Sequence, residues 1–129
     1  MKDFDTWNIQ KKNINNTDSE ISGYHPREVW WCRMGLNIGF EQDGKDVEFM
    51  RPVLILKGLG PHTLLIAPLT SSSHEHKYRV TIGELEGKQS KVIISQIRVI
   101  DIKRLVDKIG YIDKEIFKHI QKTARELLF

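Results

Sequence analysis

Between Val29 and Arg98 the chain alternates short apolar runs with polar or Gly/Pro-containing stretches, and beyond Asp101 the apolar spacing lengthens. Val29 to Met34 is aromatic and β-branched and predicts a strand. Gly35 to Met50 predicts a long loop, and Pro52 to Lys57 a strand in which proline occupies the first position. Gly60-Pro61 marks a turn before the strand Thr63 to Leu69. Pro68 within it implies an edge, a bulge or a strand end. Thr70 to Lys77 is polar and loop-like, Tyr78 to Ile82 returns to β character, and Gly83 to Gln89 predicts a turn region. Ser90 to Arg98 contains KVIISQI and predicts another strand.

Helical signals flank this β-rich centre. Phe4 and Trp7 share one face of a short N-terminal helix predicted within residues 3–12, followed by the polar stretch Lys12 to Ser22. Asp101 is placed to cap a helix carrying Ile102, Leu105, Val106 and Ile109, with Gly110 ending it. Asp113 is placed to cap a last helix with the stripe Ile116, Phe117, Ile120, Ala124 and Leu127. The pattern predicts a mainly β domain with terminal helices, a small and partly closed barrel over residues 24–129, and an N-terminal extension over 1–23. Dimerisation is one way to cover strand edges that closure leaves open.

The chain has 129 residues, 40% of them hydrophobic, which suits one compact domain and argues against global disorder. A formal charge of +3 is compatible with a polyanionic partner and equally with ordinary solubility. The single cysteine, Cys32, excludes an internal disulfide and reads as a small buried hydrophobe. The N-terminus lacks the apolar centre of a signal peptide, and no stretch approaches the roughly 20 apolar residues of a membrane helix, so a cytoplasmic location is expected.

Candidate chemistry gathers at strand and loop boundaries. Arg51 immediately precedes the strand PVLIL, Thr70 immediately follows TLLIAPL, and Glu41 lies in the long loop. Arginine offers a fixed donor fork to a phosphate, threonine a hydroxyl to a phosphate oxygen, and a carboxylate a proton acceptor or a brace for the arginine. Together they suit cleavage of an RNA phosphodiester without a metal, because RNA brings its own 2′-hydroxyl nucleophile. The competing readings are a surface ion pair for Arg51, a turn cap for Thr70 and an ordinary loop acid for Glu41. His74 and His76 form an H-x-H pair, but no cysteine cluster completes a metal site, and a solvated or RNA-facing loop is the simpler reading. Lys77 and Arg79 are placed to add phosphate contacts or to form a charged surface strand. Gln96 and Arg98 would share one strand face, supporting the substrate, the long loop or a dimer. Trp30 and Trp31 should point to opposite faces of their strand.

The chain resembles the PemK/MazF family of toxin endoribonucleases. The resemblance is carried by EVWWCRMGLNIGFEQDG, RPVLIL, APLTSSS and VIISQIRVIDIKRLVDKIGYID, which occur in the family's order. It implies an SH3-like or CcdB-like barrel, a homodimer, cleavage of single-stranded mRNA at short motifs, no metal or other cofactor, and a cognate antitoxin that occupies the substrate groove. It places the family's loop acid on Glu41, its arginine on Arg51 and its threonine on Thr70. The expected substrate contacts are Gln42, Ser71, Ser72, His74, Lys77, Arg79, Gln96 and Arg98. The expected products are a 2′,3′-cyclic phosphate and a 5′-hydroxyl. The stretch DGKDVEFMR departs from the most compact family loop, as does the N-terminal extension. A different class remains open, since the same scaffold also serves a toxin that blocks DNA gyrase without cutting RNA.

Overall fold

The computed structural model describes residues 9–11, 23–36 and 48–129. The strands among these residues, in chain order, are β1 (Ile9–Lys11), β2 (Glu28–Leu36), β3 (Glu48–Gly58), β4 (Thr63–Thr70), β5 (Arg79–Leu85), β6 (Lys88–Ile93), β7 (Arg98–Asp101) and β8 (Leu105–Ile112). One α-helix follows, α1 (Lys114–Leu128). All pairings are antiparallel and run β1-β8-β2-β3-β4-β6-β5, with β7 also on β4. β1 also approaches β5, so the two ends of the series come near each other. The result is a curled antiparallel sheet with a C-terminal helix, the mainly β barrel that the sequence predicts.

Two apolar clusters occupy opposite faces of the central strands, because successive strand side chains alternate sides. The larger contains Val29, Leu54, Leu69, Ile82, Val92 and Ile112, and α1 covers it with Phe117 and Ile120. The smaller contains Cys32, Val53, Ile55, Leu64, Ile66 and Ile100, joined by Ile102 and Leu105 as the sheet curls. Trp31 packs on the first and Trp30 on the second, so the two tryptophans do face opposite ways. Leu54, Ile55, Leu64 and Ile66 have no exposed surface. Burial stabilises by about 1.5–3 kcal/mol for each such side chain.

Polar contacts fix the entry to β2. The Glu28 carboxylate accepts the Trp30 indole N–H at 2.9 Å and the His25 backbone N–H at 2.8 Å, and pairs with Lys108 at 2.8 Å. Asp113 caps α1 as expected, its carboxylate accepting the Glu115 N–H at 2.9 Å. The two-residue turn between β5 and β6 uses positive φ at Glu86 (52°) and Gly87 (80°), as a tight antiparallel hairpin requires.

Five expectations need correction. The loop predicted for Gly35 to Met50 is strand at both ends, since β2 runs to Leu36 and β3 starts at Glu48, which also puts Pro52 inside its strand and not at the first position. The predicted helix after Asp101 is only a 3₁₀ turn, Ile102–Arg104, followed by strand β8. The spacing of Ile102, Leu105, Val106 and Ile109 fits a helical stripe, but pairing with β2 on one side and β1 on the other outweighs that local preference. At the N-terminus Ile9–Lys11 is a strand on β8, within the span predicted to be helical; residues 3–8 and 12 of that prediction lie outside the described residues. The turn region Gly83 to Gln89 narrows to Glu86-Gly87, with its flanks in the β5–β6 ladder. The strand predicted for Ser90 to Arg98 breaks after Ile93 into the 3₁₀ turn Ile94–Gln96, so Gln96 and Arg98 do not share a strand face. Pro68 is tolerated because β4 changes partner around it. β7 pairs with Thr63 to Ile66 and β6 with Leu69 and Thr70, leaving Pro68 in the gap on that edge.

Candidate active site

The outer ends of β3 and β4 open into a cavity of about 580 Å³. β3 contributes Phe49, Arg51 and Pro52; β4 contributes Leu69 and Thr70, with Ser71 just beyond; Trp31 comes from β2. The β5–β6 hairpin supplies the opposite wall through Leu85, Glu86, Lys88 and Ser90. The lining combines apolar side chains with the cations Arg51 and Lys88, the hydroxyls of Thr70, Ser71 and Ser90 and the carboxylate of Glu86, a mixture that suits a nucleotide.

Arg51 is half-buried and oriented by the neighbouring strand. Its Nε–H donates to the Leu69 carbonyl at 3.1 Å. Among the described residues its terminal nitrogens have no hydrogen-bond partner. Burial pulls the Arg51 pKa below the usual arginine value, and the Arg79 charge lowers it further. Both causes penalise an unpaired cation, and a bound phosphate would relieve both.

Thr70 ends β4 beside this arginine. Its Oγ1 accepts the Ser72 backbone N–H at 3.1 Å. That leaves the hydroxyl proton to be donated elsewhere. Ser72 Oγ accepts the His74 N–H at 3.1 Å, and Arg79 reaches the His74 carbonyl at 3.4 Å. His76 is committed to its own turn: its Nδ1 accepts the Tyr78 N–H, and its ring stacks on Tyr78 at 5.6 Å. Lys77 lies over the same tyrosine ring at 5.4 Å. Among the described residues no three His, Cys, Asp or Glu side chains converge.

Of the residues singled out from sequence, the fold brings Arg51, Thr70 and Ser71 into the cavity wall. Ser72, His74, Lys77 and Arg79 stand on the adjoining loop and the start of β5. Arg98 instead lies near Cys32, whose thiol pKa is raised by burial and partly lowered again by Arg104 and Arg98. Gln96 is exposed on its 3₁₀ turn, and neither it nor Arg98 lines the cavity. Glu41 and Gln42 lie outside the described residues. Sequence reasoning missed Phe49, Lys88 and Ser90 as wall residues. The Glu86-Gly87 pair was the available signal, since a tight hairpin there brings Lys88 back beside Leu85.

Three comparisons bear on this site. A family model described as PemK-like, MazF-like toxin of type II toxin-antitoxin system matches residues 25–128. The chain is 28% identical over 108 residues to Endoribonuclease EndoA of Bacillus subtilis (strain 168), covering 76% of this chain and 88% of that protein. Among solved structures it is similar to MazE-MazF (Form-II) from Deinococcus radiodurans, with a TM-score of 0.65 and 18% identity over 81% of this chain and 95% of that one. It is also similar to an endoribonuclease in complex with its cognate antitoxin from Mycobacterial species, with a TM-score of 0.62 and 16% identity over 81% and 94%.

Proposed function

Because the chain belongs to the PemK-like, MazF-like toxins of type II toxin-antitoxin systems, we propose that it is an endoribonuclease cutting single-stranded mRNA at short motifs. The toxin domain is residues 24–129, with 1–23 an extension. One observation carries the assignment of residues. Arg51 is held to the Leu69 carbonyl next to Thr70, and both residues line one open cavity.

The reaction is a transesterification. The 2′-oxygen of the substrate attacks the adjacent phosphorus and loses its proton; the bond to the 5′-oxygen breaks, and that oxygen takes up a proton. The products are a 2′,3′-cyclic phosphate and a 5′-hydroxyl. Arg51 stabilises the charge that builds on the phosphoryl oxygens, and Thr70 donates its hydroxyl proton to one of them and fixes the phosphate. Glu41 acts as base or as organiser of its loop. Trp31 and Phe49 offer surfaces for unstacked bases, and Lys88, Lys77 and Arg79 attract the backbone. No metal is required, since the nucleophile belongs to the RNA. Ser71, Ser72 and His74 flank the phosphate, while Gln42, Gln96 and Arg98 belong to the wider substrate or dimer surface.

The working form is a cytoplasmic homodimer held in check by a cognate antitoxin. The MazE-MazF structure of Deinococcus radiodurans, named as a pair, supports the antitoxin. No helix among the described residues is long and apolar enough to cross a membrane.

The test is incubation of purified protein with a long single-stranded RNA in EDTA, with mapping of the new 5′ ends and Arg51→Ala alongside. Discrete cuts that vanish in the variant are expected. Intact RNA across several diverse transcripts would overturn the nuclease reading and turn attention to gyrase inhibition.

A further inference from the structure

The loop between β4 and β5 lies over one nearly buried cation with no place in the cavity wall. Lys91, on β6, is the cross-strand partner of Thr70. Directly opposed residues of a ladder project on the same face. Lys91 is only 6% exposed, although lysine is rarely buried without partners. Its Nζ donates to the Ser72 carbonyl at 3.4 Å and stands 3.6 Å from Glu75 Oε2. The Glu75 side chain is 86% exposed, so solvent screens that pair and the carbonyl is the better-sheltered contact. Ser72 is also the residue whose N–H engages Thr70 Oγ1. The buried ammonium therefore holds the very residue that turns the threonine hydroxyl.

We propose that Lys91 is a positioning residue for catalysis, holding Ser72 so that the Thr70 hydroxyl proton points at the scissile phosphate. The role rests on the nuclease reading. Lys91 touches no substrate; it acts through Ser72. A burial cost is tolerated at this position because the cation fixes the first turn of the loop that follows the catalytic threonine. Without the ammonium, Ser72 keeps its side-chain bond to the His74 N–H but loses its tether to β6.

The experiment compares wild type with Lys91→Met and Lys91→Arg. Methionine keeps the aliphatic stem and removes the charge; arginine restores a charged donor. On single-stranded RNA, Lys91→Met should lower kcat about tenfold, since small misplacement of a reacting group is costly. KM should stay within about twofold, because ground-state binding is untouched. The melting temperature should hold or rise, as a desolvated cation has gone. Lys91→Arg should recover most of kcat, and amide exchange at Ser72 and His74 should accelerate only in the methionine variant. An unchanged kcat in Lys91→Met, with wild type active, overturns the proposal and leaves the nuclease reading intact. So does a kcat loss that follows a falling melting temperature or that arginine fails to restore. If wild type cuts no RNA, the nuclease reading fails and the catalytic role falls with it. In that case unchanged exchange at Ser72 and His74 would show that Lys91 does not hold the loop either.

Discussion

The inner and outer halves of β3 and β4 are made of the same two paired strands, yet they do opposite work. In the inner half, Val53 to Ile55 of β3 lie against Ile66 to Pro68 of β4, and every one of these side chains is buried. In the outer half, Phe49 and Met50 are exposed, Arg51 and Thr70 are half-exposed, and the strands border a cavity. The difference teaches where precision comes from. The β3–β4 ladder ends at Val53 and Pro68; beyond it Arg51 pairs with Cys32 of β2 and Thr70 with Lys91 of β6, and the Leu69 carbonyl aims the Arg51 side chain. Residues from Ser71 to Lys77 have no ladder and rely on single bonds, some within their own loop and others from Thr70, Arg79 and the Lys91 tether on β6.

The contrast breaks most sharply at Leu54. Leu54→Ala removes a fully buried side chain from the larger cluster and should cost about 2–5 kcal/mol of stability. Denaturant unfolding would measure this, and the folded fraction should retain its cleavage rate. Arg51→Ala, on the same strand, should do the reverse. Cleavage falls roughly 10²–10³-fold, as when one charge-stabilising donor is lost, while the unfolding midpoint barely moves. A collapse of stability in Arg51→Ala would erase the distinction between the two halves.

Smaller changes sharpen it. Asp113→Ala removes the cap of α1, which covers the inner half, and should cost about 1 kcal/mol without altering the cleavage pattern. Cys32 is the ladder partner of Arg51 but belongs wholly to the buried face. Burial raises its pKa, so the folded thiol stays protonated beyond the usual thiol range. That contribution to stability is fully present below the ordinary thiol pKa and lost only as pH climbs through the higher folded value. Maleimide labelling at pH 8 should therefore be slow until denaturant is added. Rapid labelling of native protein would contradict the burial of Cys32.

The halves were unequally legible in the sequence. PVLIL and TLLIAPL announce their strands through uninterrupted apolar runs, and the polar residues at their ends, Arg51 and Thr70, follow at once. Phe49, Lys88 and Ser90 were not legible as neighbours, because a strand end and a hairpin meet only after the sheet curls. β8 was misread because Leu105, Val106 and Ile109 satisfy a helical spacing as well as a strand. Only the presence of β2 and β1 on either side decides between them. Lys91 reads locally as an ordinary surface charge; its burial depends on Ser72 and Glu75, which come from a distant loop.

The three residues of β1 pair Ile9 with Ile112, Gln10 with Tyr111 and Lys11 with Gly110, and residues 25–128 are the ones that the family model covers. A piece of chain from outside the family's common core thus occupies backbone donors and acceptors that another molecule's strand would otherwise find. For anyone preparing this protein, trimming to the family boundary would remove β1 and leave that edge of β8 without its partner strand.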